Sequence, residues 1–267
     1  MSRPPVVFVS HGSPDILLQA TDAVACWRNL GRRLPVPRGI LVVSAHWQAN
    51  LPTLSLAEAP RTLHDFRGFP PALQGMTYPA PGSPALALRT RELLLAGGLA
   101  AETVAERGLD HGAWVPLMAL YPEARVPVCQ LSLSRGGPAE HLALGRALAP
   151  LRDEGILILA SGAITHNFAW LDWQARPGQS PLPRSQAFTD WVGDCLAEGR
   201  IDALADYRST PLGAEAHPSE EHFLPLFVAM GAAGGASEST TTLPPERLRP
   251  AFTYGALAMD VYVWGDA

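Results

Sequence analysis

Aliphatic runs with almost no polar interruption punctuate the chain: Val6-Val7-Phe8-Val9, Ile40-Leu41-Val42-Val43 and Ile156-Leu157-Ile158-Leu159. Such runs mark strands covered on both faces, as in parallel sheets flanked by helices, whereas a half-exposed strand alternates. Further strands are expected over Leu51 to Ala57, Ala101 to Glu106, Val126 to Leu133 and Leu257 to Trp264. Between them the apolar positions fall at helical spacing. Thr21 to Leu34 predicts a helix with an acid in its first turn and Arg32-Arg33 in its last. Ser83 to Ala96 places Pro84 at a first helical position, and Trp114 to Leu120, Pro138 to Arg152, Arg184 to Asp206 and Pro218 to Met230 complete the helical set. Strands alternating with helices predict an α/β fold, here a single domain over residues 1 to 267 with a mostly parallel central sheet flanked by helices.

Three segments fit neither period: Pro60 to Ser83, Ala175 to Pro183 and Gly231 to Pro245. The last two read as surface connections. The first is stiff with proline yet carries Phe66, Phe69, Met76 and Tyr78, the composition of a pocket wall or lid as much as of a plain loop.

The strand pattern acquires chemistry where it stops. Each of the three long runs ends in small residues and then a histidine: His11, His46 and His166. In open α/β sheets functional groups gather in the crevice at the carboxyl ends of the strands, and imidazoles arriving there together point to a metal site. A fourth histidine comes from His217-Pro218-Ser219-Glu220-Glu221-His222. On one helix, His217 and His222 would lie about 140° apart and could not address the same atom. His222, expected within the helix body, is the better ligand, with His217 behind it or capping.

His111 follows Asp110 at the entrance of an apolar helix, a position suited to an oriented acid/base, a substrate anchor or a buried cap. His64 is expected to pair with its neighbour Asp65 in a turn, and His141, beside Glu140 on an amphipathic helix, to be solvated.

Composition narrows the partners. With 267 residues, 47% hydrophobic, the chain can bury a full core, and a net charge of −5 gives no basic face for nucleic acid or an anionic membrane. Cys26, Cys129 and Cys195 form no Cys-x-x-Cys pair and are expected to be buried small hydrophobes. The chain carries no signal-like leader and no apolar run of membrane-spanning length, so the cytoplasm is the expected location and no membrane partner is expected. Oligomeric state is not legible.

The residues around these histidines resemble a known family, the extradiol ring-cleaving dioxygenases of the LigB superfamily, in the 4,5-DOPA-extradiol-dioxygenase-like group. The resemblance rests on Val9-Ser10-His11-Gly12-Ser13-Pro14, Ser44-Ala45-His46-Trp47, Leu63-His64-Asp65-Phe66-Arg67-Gly68-Phe69-Pro70 and Tyr78-Pro79-Ala80-Pro81-Gly82. It continues through Leu109-Asp110-His111-Gly112-Ala113-Trp114, Gly162-Ala163-Ile164-Thr165-His166-Asn167 and His217 to His222, in the same order over nearly the whole chain.

The resemblance implies one divalent ion, Fe(2+) or Zn(2+), on His11, His46 and His222, with His166 a fourth ligand or a nearby acid/base. His111 falls in the substrate pocket, and the activity implied is oxygen-dependent opening of a catechol ring beside its paired hydroxyls, so a small aromatic substrate and O2 are the partners. Two other classes stay open. A zinc hydrolase would use three histidines and a bound water with His166 or His111 as shuttle, and a non-catalytic relative would bind metal or peptide in the same cleft.

Overall fold

The computed structural model describes residues 3–19, 21–176, 178–234 and 244–266. In chain order its strands and helices are β1 (Val6–Ser10), α1 (Asp22–Arg33), β2 (Gly39–Gln48), β3 (Thr53–Ser55), α2 (Pro84–Ala96), β4 (Glu102–Val104), α3 (His111–Leu120) and β5 (Val128–Leu133). They continue as α4 (Pro138–Leu148), β6 (Ile156–Gly162), α5 (Pro183–Glu198), α6 (Ile201–Ala205), α7 (Pro211–Ala216), α8 (Leu224–Gly234), β7 (Glu246–Leu248) and β8 (Val261–Trp264).

All eight strands share one sheet in the order β4-β3-β5-β2-β6-β1-β8-β7. Its centre, β5-β2-β6-β1, is parallel, and β8 joins β1 antiparallel with Val6 opposite Trp264. The aliphatic runs occupy this centre, and successive residues feed opposite layers. Val6, Phe8, Leu41, Val43 and Ile158 pack on one face with residues of α2, α4, α5 and α8; Val7, Val9, Ile40, Val42 and Leu157 pack on the other with α1 and α3. The mostly parallel α/β architecture expected from the run pattern is therefore present.

Helix starts follow the sequence closely. Thr21 Oγ1 accepts from Val24 N and Ser83 Oγ accepts from Leu86 N, capping α1 and α2. Other expectations fail for local reasons. The helix read from Arg184 to Asp206 breaks at Gly199, which sits at φ 68°, and resumes as α6. The helix read from Pro138 closes with a 3-10 turn over Ala149–Arg152. The helix read from Pro218 begins only at Leu224, because Pro225 is confined to a first turn: deeper in a helix its ring would collide with the Glu221 carbonyl. The strand read from Leu257 begins at Val261, and β7 was not anticipated. Of the stretch read as irregular from Gly231 to Pro245, residues 231–234 belong to α8 and 235–243 lie outside the described residues. Ala175 to Leu182 is irregular as read, with Pro177 outside the described residues and Pro183 opening α5. Among the described residues no helix is long and apolar enough to cross a membrane.

His141 is buried, not solvated: its Nδ1 donates to the Gly137 carbonyl at 3.0 Å, because the face of α4 that carries it packs against α8. Cys129 and Cys195 are buried as expected, whereas Cys26 is half-buried.

A second buried imidazole gives the fold a pH signature. His217 is inaccessible to solvent and donates from Nε2 to the Ile164 carbonyl at 2.8 Å; burial pushes its pKa down from 6.5 to about 3. The unfolded chain then binds a proton below pH 6.5 that the folded chain refuses, so stability present above that pH is lost as pH falls towards 3. Between pH 7.5 and pH 5 the expected contribution of this side chain is a loss of about 2 kcal/mol. Chemical denaturation of wild type and His217→Gln at both pH values checks it, and equal pH slopes in the two proteins would refute it.

Candidate functional site

The sheet sets up the site. His11 follows the last residue of β1 and His46 lies in the carboxyl-terminal part of β2, the neighbouring strands on either side of β6. His11 N donates to the Gly162 carbonyl at 3.0 Å, tying the end of β1 to the end of β6. His222 lies not in a helix body but in the turn before α8, and its carbonyl accepts from Ala163 N at 2.8 Å. The end of β6 therefore holds both a histidine 151 positions before Gly162 and one 60 positions after it.

The three rings converge. His46 Nε2 stands 3.1 Å from His11 Nε2 and 3.2 Å from His222 Nε2, and the three can hold one metal ion. Their outer hydrogen bonds fix which nitrogens carry protons. Ser161 Oγ donates to the Gly112 carbonyl at 2.5 Å, so it accepts from His11 Nδ1 at 2.9 Å. Glu221 Oε1 accepts from His222 Nδ1 at 3.0 Å, and His46 Nδ1 faces the Asp65 carboxylate at 3.8 Å. With Nδ1 protonated on His11 and His222, their Nε2 lone pairs face His46 Nε2, and in the tautomer of His46 that leaves its Nε2 bare a cation between the three takes all three lone pairs. Burial, followed by the neighbouring imidazoles, holds the pKa of His11 and His222 well below 6.5, and burial takes His46 to about 3, so the rings are neutral ligands near pH 7. The donor set thus fits a divalent ion of the borderline kind that imidazole prefers.

His166 arrives beside this group but does not join it. Its ring stacks on His222 with centroids 3.4 Å apart and planes 9° from parallel. In-plane lone pairs of two rings in parallel, separated planes never meet, so His166 and His222 do not address one point, although His166, His222 and Glu221 offer ligand atoms within 4.8 Å of one another. Burial lowers its pKa to about 4, leaving a neutral base.

His111 opens α3, with its ring centroid 3.8 Å from that of His46. The adjacent acid, Asp110, does not orient it. Asp110 caps α3 by accepting from Ala113 N, and it also takes bonds from Ser44 Oγ at 2.7 Å and from Gln130. The orienting carboxylate is Asp65, whose Oδ1 accepts from both the backbone N and Nδ1 of His111 at 3.0 Å. Burial alone would raise the Asp65 pKa, but the His111 hydrogen bonds and charge outweigh it and bring the acid down to about 2. Asp65 therefore does not pair with His64, whose Nε2 donates to the Met76 carbonyl at 3.0 Å. No local signal joins Asp65 to His111; the sequence marks only the loop that carries Asp65 as a candidate pocket wall.

His11, His46, His111, His166 and His222 line one cavity of about 700 Å³. Phe66 and Phe69 of the proline-rich loop form one wall, with Phe168, Leu171, Trp173 and Tyr254 on others. The loop is thus a wall of the cavity, pinned by Tyr78 Oη donating to the Tyr121 carbonyl at 2.9 Å. His217 stays behind the site, boxed in by Phe188, Tyr207 and Phe223.

The chain whose mostly parallel sheet brings these five histidines to one aromatic cavity falls within a defined group of proteins. Residues 1–256 match the family described as the catalytic LigB subunit of aromatic ring-opening dioxygenase, and the chain belongs to that family of oxidoreductases. The chain is 43% identical over 245 residues to the 4,5-DOPA dioxygenase extradiol of Portulaca grandiflora, covering 87% of each chain. It is 40% identical over 262 residues to the protein of the same name from Escherichia coli K12, covering 97% of this chain and 93% of that one. The crystal structure of an uncharacterized protein from Escherichia coli K12 superposes with a TM-score of 0.79 at 34% identity, covering 98% of this chain and 100% of the other.

Proposed function

We propose that residues 1–267 act as one catalytic unit in the cytoplasm, an extradiol dioxygenase that opens a catechol-type ring, DOPA-like or simpler, with O2. One divalent ion is held by His11, His46 and His222. The observation that carries this reading is the convergence of three imidazole Nε2 atoms, with His46 Nε2 3.1 Å from His11 Nε2 and 3.2 Å from His222 Nε2, an arrangement that one cation can occupy. Bound there, Fe(2+) or Zn(2+) supplies Lewis acidity towards the catechol oxygens, and iron also supplies the redox chemistry that activates O2.

The chain's own groups do the rest. His166, neutral and placed beside His222 without sharing its direction, takes a catechol hydroxyl proton at a ring nitrogen and returns it as the ring opens. His111 keeps its Nδ1 proton on Asp65, which turns Nε2 into an acceptor for the second hydroxyl. Phe66 and Phe69, set edge to face with centroids 5.6 Å apart, exclude water and give an aromatic substrate an apolar wall to lie against. No carboxylate joins the three ligands, but Glu221 and Asp65 stand behind His222 and His46 and supply negative charge through the imidazoles.

Anaerobic reconstitution of metal-free protein with Fe(2+) or Zn(2+), followed by oxygen uptake and absorbance with L-DOPA and simpler catechols, tests the reading. Oxygen uptake with a yellow ring-opened product is expected with Fe(2+). Tight stoichiometric zinc with no oxygen uptake on any catechol would put the hydrolase or binding-only reading in its place.

Asp65→Asn probes the support beneath His111. The amide still accepts from the backbone N of His111 but no longer favours Nδ1–H electrostatically, and turnover is expected to fall by about 10- to 100-fold with the metal retained. Unchanged turnover would remove the orienting role.

A further inference from the structure

The wall of the cavity away from the histidines carries a charge that the chemistry above does not use. Asp15, in the 3-10 turn Pro14–Leu18, lines the cavity together with Ser13, Trp173 and Tyr254. Its carboxylate is held by neutral donors alone: Ser13 Oγ at 2.5 Å on Oδ1, Gln19 Nε2 at 2.9 Å on Oδ2, and Tyr254 Oη at 3.1 Å from both oxygens. Among the described residues it has no cationic partner. Three donors on a group with about four acceptor sites leave capacity for one more. The rings next to it are Tyr254 and Trp173, tilted on each other with centroids 4.9 Å apart, and Trp173 is 56% exposed. Tyr254 is held at φ 50°, a left-handed conformation rare for a bulky residue, and this is the backbone that presents its ring and hydroxyl to Asp15.

An unneutralised, pre-oriented carboxylate in a cavity also lined by Tyr254 and Trp173 is a receptor for an ammonium group. Four residue steps from His11 to Asp15 bound their separation at about 14 Å, so one small molecule can touch both. The cavity then has two ends of opposite demand, a cation-binding histidine group for the catechol oxygens and an anionic wall for a positive side chain.

We infer that Asp15, with Tyr254 and Trp173, is a specificity site that selects catechols bearing a side-chain ammonium, and that simple catecholamines without a carboxylate are accepted for this reason. This rests on the catechol reading of the same cavity. Arg67 is the one arginine lining the cavity; it is exposed and has no ion pair among the described residues, so it can accommodate a side-chain carboxylate, while Asp15 disfavours an acid that lacks the ammonium.

The test compares dopamine, 4-methylcatechol and 3,4-dihydroxyphenylpropionate with the Fe(2+)-loaded protein, and measures binding of the uncleavable tyramine and 4-methylphenol by calorimetry. The expected order of kcat/KM is dopamine, then 4-methylcatechol, then the acid. In Asp15→Asn the dopamine to 4-methylcatechol ratio and the tyramine to 4-methylphenol affinity ratio each fall by about tenfold or more, the scale of a lost charge-assisted hydrogen bond. If that variant does not fold, the wild-type order and the two wild-type affinities decide alone. Equal affinity for tyramine and 4-methylphenol, or a preference for the acid, overturns the assignment. Turnover of no catechol alongside selective tyramine binding would sink the dioxygenase reading and leave the ammonium site standing.

Discussion

His222→Ala is expected to lose the metal and the ring-opening activity together, whereas His166→Ala is expected to keep the metal and lose only activity. Removing one of three imidazoles leaves two neutral donors, too few to compete with water for a divalent ion, and the Lewis-acid contribution goes with it. Several kcal/mol of such stabilisation amount to about a thousandfold or more in rate. For His166, whose ring lies parallel to His222 at 3.4 Å, the loss is that of an acid/base, about 10²- to 10⁴-fold. Metal content by atomic absorption, read beside oxygen uptake, separates the cases. Metal loss in the His166 variant would make it a ligand, and full metal in the His222 variant would dismantle the proposed triad.

Gly162→Ala is expected to damage the same site through the backbone. A Cβ at this last residue of β6 would stand 2.2 Å from the His222 carbonyl oxygen and 3.1 Å from Pro225 Cγ. The first neighbour is main chain and cannot swing aside, so either the strand end or the turn carrying His222 must move. Overpacking of this kind costs about 1–3 kcal/mol of stability. A displacement near 1 Å at a metal-holding turn costs turnover about 100-fold. Thermal unfolding and a metal titration read the two effects, and wild-type metal affinity in this variant would show that His222 is not set by β6.

What the sequence discloses here is uneven, and the reasons are physical. His11 and His46 are legible because each comes where the buried run of its strand stops, and the strand's own hydrophobicity announces that place. The pairing of β1, β2 and β6 is not legible, since every one of those strands is equally apolar and the order follows from crossover geometry. His222 emerges as a candidate for a mistaken reason: the helix expected around it starts two residues later, at Leu224, and a turn aims the ring. Asp65 goes to the wrong histidine because His64 is adjacent in sequence while its actual partner is 46 positions on. His141 is misjudged because a flanking glutamate marks only one side of a helix, and α8 covers the other. Asp15, four residues after the first histidine, carries no motif at all.

The pairing of β1 with β8 has a consequence for how the protein is made. The strand that delivers His11 leaves the ribosome well before its antiparallel neighbour, with Val6 opposite Trp264. At ordinary elongation rates one flank of β1 waits roughly ten to fifty seconds for its partner. A long, apolar strand with unsatisfied edge groups is an aggregation template during that interval. Yield in cells should therefore depend on chaperone capacity and on growth temperature. Metal capture by the complete histidine group should wait until His222 has emerged and the end of β6 has paired with β1.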